Sequence, residues 1–141
     1  MISPDIFKNI VFKHEKTIYD FQGGFNYYHN CGPLDPLIEY ISEFDNILMM
    51  HSGPFSDYKI ILKQFGDRSA IEHCLRSKEA LMESSYEQMI SYLEEIKKNY
   101  LDFKVKGLVI RATIYTKPEL SIDDSIKKIK EWIQAGRKVL G

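Results

Sequence analysis

What the chain has little of narrows the reading first. Only two of its 141 residues are cysteine, Cys31 and Cys74. At most one bridge can form, which excludes a disulfide-built scaffold. Met1-Ile2-Ser3-Pro4-Asp5 lacks the basic and apolar regions of a signal peptide, so the expectation is a cytoplasmic protein whose thiols are free or metal-bound. Neither charge is in excess: 19 Lys and Arg against 20 Asp and Glu give a net charge of -1. No nucleic-acid partner and no polyanion-binding tail is therefore expected. No apolar run approaches the roughly 20 residues needed to cross a bilayer, so no membrane partner is expected either. The phosphate-binding GxxxxGK, the dinucleotide glycine fingerprint and the nucleophile elbow are all missing. With 44% hydrophobic residues and no linker or low-complexity stretch, residues 1–141 read as a single domain with a core.

What is present alternates. Ser3-Pro4-Asp5 starts a helix, with a capping hydroxyl, proline at the first helical position and an acid near the positive end of the dipole. Gln22-Gly23-Gly24 ends it. Phe25 to Cys31 reads as a buried strand, aromatic-rich and bounded by glycines. Asp35-Pro36 opens a helix with Leu37, Ile38, Ile41 and Phe44 on its apolar face. Asn46 to His51 is a nearly continuous apolar run, typical of a strand covered on both faces. Ser56 caps a helix that stops at Gly66, and Ser69 to Leu75 is a weaker strand. A long helix through Tyr100 begins at Ser77 or at Ser84-Ser85. Gly107 to Ile114 is the last strand. Ser121 caps a final helix with Ile122, Ile126, Ile129, Trp132 and Ile133 on one stripe. Phe7, Phe12, Tyr19 and Phe21, with Met49 and Met50, are expected in the core. The fold class is α/β: a leading helix and four strand–helix units spaced for a parallel sheet. Four units equal half of an eight-stranded barrel, whose uncovered edges would call for a second copy or a complementing chain.

Ligands of parallel α/β proteins bind at the carboxyl ends of strands. Those ends carry His29 and Cys31, then His51, then His73 and Cys74, then Arg111 and Thr113. Imidazole and thiolate at His29 and Cys31 suit zinc, whereas a buried Cys beside a hydrogen-bonded His is the plainer alternative. His51 serves equally as a structural histidine or as a contact to a substrate or cofactor. Cys74 is either a third metal ligand or a core residue. Arg111 either clamps a carboxylate or phosphate of a bound ligand or sits in an ion pair.

These motifs form a pattern. Ile2-Ser3-Pro4-Asp5-Ile6-Phe7, a helix, Tyr28-His29-Asn30-Cys31-Gly32, Phe65-Gly66-Asp67, Gly107-Leu108-Val109-Ile110 and Thr116-Lys117-Pro118-Glu119 resemble the uroporphyrinogen decarboxylase superfamily. That superfamily includes cobalamin-dependent thiol methyltransferases. The resemblance spans the chain but matches only the carboxyl-terminal half of the family's barrel. In the methyltransferase branch, it implies that His29 and Cys31 hold a catalytic zinc. The methyl group would come from methylcobalamin, a corrinoid carried on a separate protein, and pass to a small thiol. Arg111-Ala112-Thr113 stands where the family's third ligand, a later Cys, would lie. That leaves Cys74, His51 or a partner chain to complete the set, or no zinc at all. In the decarboxylase branch, which acts on a tetrapyrrole, the essential acid and arginines belong to the absent half. The resemblance also allows a non-catalytic module that assembles with itself or with a partner half.

Overall fold

The computed structural model describes residues 2–113 and 120–141. The fold is α/β, with four parallel strands in one sheet, in the order β1-β2-β3-β4, alternating with helices behind a leading helical segment. The strands are β1 Phe25–Tyr28, β2 Ile47–Ser52, β3 Ala70–Cys74 and β4 Gly107–Arg111. The chain divides into two units, Met1–Cys74 with Phe103–Ile110, and Leu75–Asp102 with Arg111–Gly141.

In the first unit, Ser3 caps α1 (Pro4–Ile6), its Oγ accepting from the Ile6 N–H at 3.3 Å. A π-helical turn, Phe7–Val11, joins α1 to α2 (Phe12–Gln22), which Gly23 ends at a left-handed φ of 74°. At Gly24 a side chain is excluded outright, because a Cβ would lie 2.4 Å from Asn46 Nδ2. Phe44 is the hub under this segment: its ring centroid lies 5.1 Å from Phe12, 5.0 Å from Tyr19 and 5.1 Å from Phe25. Phe7 is buried as expected, but Phe21 is 91% exposed. Phe21 stands on the last turn of α2, outside the arc that faces Phe44, and Ile6, Ile10 and Ile18 are exposed as well. A 3-10 turn, Asp35–Leu37, and α3 (Ile38–Ile41) form the next crossover. Asp57, not Ser56, caps α4 (Tyr58–Phe65), since the Ser56 hydroxyl is taken by the Leu34 N–H at 2.8 Å.

Strand register sorts the side chains. Tyr28 pairs with Met50 and Met50 with Ile71, and all three are buried. Further along the same face Ser52 lies opposite His73, and Tyr58 of α4 meets the His73 ring edge-on at 4.7 Å. Shortening Met50 or Ile71 to alanine would cost about 2–5 kcal/mol. The opposite face carries Tyr27, Met49 and Ala70 in register. Gly107 joins them, because a Cβ there would lie 3.3 Å from that of Ala70. This face is only partly covered: Tyr27 is 42% and Val109 44% exposed, whereas His51 on it is buried. The expected strand over Phe25 to Cys31 is thus shorter and less buried. β1 ends at Tyr28, because Asn30 Oδ1 accepts from the Gly32 N–H at 2.6 Å and turns the chain.

In the second unit, a π-helical turn (Lys78–Met82) precedes α5 (Tyr86–Asp102). Ser85 and Gln88 form a capping box: Ser85 N–H donates to Gln88 Oε1 at 2.7 Å and Gln88 N–H to Ser85 Oγ at 3.3 Å. α5 buries Met89, Leu93, Ile96 and Tyr100, and α6 (Ile122–Leu140) buries Ala135 and Val139. The expected stripe on α6 is mostly not core, since Ile122, Ile126 and Ile133 are exposed. Ile114, the expected end of the last strand, and the Thr116–Glu119 turn lie outside the described residues. Among the described residues no helix is long and apolar enough to cross a membrane.

Burial pushes the His73 imidazole down from 6.5 to about 4. The unfolded chain accepts a proton near pH 6.5 that the folded chain refuses until near 4. The penalty is therefore absent above that window and grows as pH falls through it, reaching about 3 kcal/mol. Urea unfolding of the native chain should show this loss between pH 6.5 and 4, and His73→Leu should flatten it. An identical pH slope in the variant would assign the loss to other groups.

Candidate metal centre

The register that buries one face of the sheet lines up candidate metal ligands on the other. His51, on β2, lies opposite Glu72 on β3. Tyr27 pairs with Met49, so His29, two residues further on, comes level with His51. The two imidazole centroids are 4.2 Å apart at 39°. One ligand atom from each of His29, His51 and Glu72 falls within 4.8 Å of the others, and this partly buried group could hold a metal ion. Ligand atoms around a tetrahedral ion at about 2.0–2.2 Å stand roughly 3.3–3.6 Å apart, so small side-chain rotations close the site. His51 is buried, Glu72 half-buried and His29 exposed, which leaves one side open to solvent.

Local bonds orient the donors. His51 Nδ1 lies 3.0 Å from the Asn30 carbonyl. A carbonyl only accepts, so in the neutral imidazole Nδ1 carries the hydrogen and Nε2 presents its lone pair. That Nε2 faces Glu72 Oε2 at 4.0 Å. Gly53 makes the arrangement possible, since a Cβ there would stand 3.1 Å from His51 Cε1 and 3.4 Å from the Asn30 carbonyl oxygen. Tyr27 hydrogen-bonds through its hydroxyl to Glu72 Oε2.

The residues singled out in the sequence are distributed as follows. Cys31 is exposed, with Sγ 3.2 Å from His29 Nε2. It lies against one ligand of the group without being a member of it. Cys74, half-buried and free at the end of β3, joins no three-ligand group among the described residues. His73 sits on the helix-covered face. Arg111 is exposed and belongs to the second unit, where its carbonyl accepts from the Leu75 N–H at 3.0 Å. The Thr113 N–H donates to Ser77 Oγ at 2.9 Å. Glu72 and Tyr27 were not singled out. The signal for Glu72 is an acid inside a five-residue strand, where a half-buried carboxylate calls for a partner. Compared with protein-family models, curated proteins and solved structures, the chain matches none.

Zinc titration of single variants separates the two ligand sets. His51→Ala and Glu72→Ala should each weaken binding at least about 10–100-fold, and Cys31→Ala by less than about threefold. The reverse order would place the ion on His29 and Cys31.

Proposed function

We propose that this chain is a zinc-dependent domain, related to the uroporphyrinogen decarboxylase superfamily, that activates a small thiol for methyl transfer. The observation that carries the reading is the convergence of His29, His51 and Glu72 at the carboxyl ends of three parallel strands. Two imidazoles and a carboxylate are a donor set of the catalytic zinc type, with a fourth position left for a substrate. Zinc bound there supplies Lewis-acid charge that lowers the pKa of a thiol. The chain's own residues prepare the site. The Asn30 carbonyl sets the His51 tautomer, Glu72 contributes negative charge, and exposed His29 and Cys31 border the open side. The methyl donor in this reading is a corrinoid on a separate protein, a role the resemblance supplies and to which no residue of this chain is assigned.

Protein purified without chelators should carry about one zinc per chain and catalyse transfer from methylcobalamin to a thiol, followed by the change in corrinoid absorbance. His51→Ala and Glu72→Ala should abolish turnover. A zinc-free chain with no transfer would remove the reading.

A second reading, a half-barrel that pairs with another copy, is favoured by two edge strands, β1 and β4, and by exposed Tyr27 and Val109 on the partly covered face. Sedimentation velocity should then give a dimer, and a monomer at high concentration would contradict it.

A further inference from the structure

α6 carries an apolar stripe that its own unit leaves half-covered. Ile122, Ile126, Ile129, Ile133, Gly136 and Leu140 alternate steps of four and three residues, the heptad spacing of a coiled-coil seam. The helix buries a neighbouring line instead, at Ala135 and Val139. Ile122 is left 79%, Ile126 43%, Ile133 46% and Leu140 41% exposed. Gly136 is a poor choice for the body of a 19-residue helix. A Cβ there would meet nothing within 4 Å among the described residues. Packing among those residues does not call for a glycine, whereas close approach by a side chain from outside does.

We propose that this stripe is a homodimer interface, in which α6 packs antiparallel on α6 of a second copy across a two-fold axis. The stripe is its own complement when reversed. Ile122 meets Leu140, Ile126 meets Gly136 and Ile129 meets Ile133, and each layer recurs on the other side of the axis. The gap at Gly136 receives Ile126 of the other copy. Charge selects the same orientation. Asp123 and Arg137 are exposed, two heptads apart on one flank of the stripe, and the antiparallel register sets each against the other across the interface. A parallel pair would bring like ends together, with Asp123 and Asp124 at one and Arg137 and Lys138 at the other, and would align the two helix dipoles. Lys130, midway along that flank, faces its own copy near the axis, where its long stem lets the two ammonium groups splay into water. The contact uses no residue of the edge strands β1 and β4.

The test is a charge swap at exposed positions, read by sedimentation velocity of the full chain across a concentration series, with circular dichroism to check helix content. The wild-type chain should dimerise. Ile126→Lys should raise the dimer dissociation constant at least about 100-fold, since two apolar layers are lost at once. Asp123→Arg and Arg137→Asp should each raise it about tenfold at low salt, because the two-fold turns two attractive pairs into two repulsive ones. The double variant should return to within about threefold of wild type. That rescue runs against the helix dipole, which disfavours both substitutions, so an effect on helix stability alone cannot produce it. A wild-type chain that stays monomeric throughout the series would overturn the interface. A dimer indifferent to Ile126→Lys would move the contact off α6, to the strand edges or elsewhere. A double variant no tighter than the single ones would overturn the antiparallel register.

Discussion

The pairing of β2 with β3, His51 opposite Glu72, is the constraint on which the site depends. Side chains alternate along a strand, so a one-residue slip would send Glu72 to the helix-covered face and bring Ile71 or His73 beside His51. Burial holds the register. Met50 and Ile71 are fully enclosed, and exposing each would cost about 1.5–3 kcal/mol. Ser69 adds a pin at the start of β3, its hydroxyl donating to the Ile47 carbonyl at 2.6 Å. The His51–Glu72 contact at 4.0 Å is too long to set strand alignment by itself. The candidate ligand row is inherited from packing on the opposite face, which fixes the register that brings His51 and Glu72 side by side.

That division explains which parts of the structure could be read in the sequence. Alternating strand and helix signals, capped by Ser3 and Ser121 and stopped at Gly23, were legible because each is local. The expectation of a candidate site at strand carboxyl ends follows from fold class. Membership of the group was not legible, because it depends on lateral register between strands, which no single segment encodes. Glu72 stood next to His73 and Cys74, and only pairing with β2 reveals that Glu72 faces His51. The end of β1 is hidden for a related reason: aromatic residues and the glycine after Cys31 suggest a strand to Cys31, but the Asn30 side chain turns the backbone two residues after the last pair.

Helix faces were the other weak point. The apolar stripes of the leading helix and α6 have helical spacing, yet Ile6, Ile10, Ile18, Ile122, Ile126 and Ile133 are exposed. Periodicity identifies a helix with an apolar side; it does not say whether anything in the same chain covers that side. The aromatic cluster around Phe44 shows the other outcome, where shape selects Phe12, Tyr19 and Phe25 and excludes Phe21.

The central claim is that nitrogen and oxygen donors from three strand ends, rather than the nearby thiols, hold the ion. Zinc K-edge X-ray absorption on the zinc-loaded chain tests it most directly, since Zn–N and Zn–O distances near about 2.0–2.2 Å separate cleanly from Zn–S at about 2.3 Å. A shell of light scatterers with imidazole multiple scattering and no sulfur is the predicted spectrum. One or more sulfur neighbours at full occupancy would contradict it.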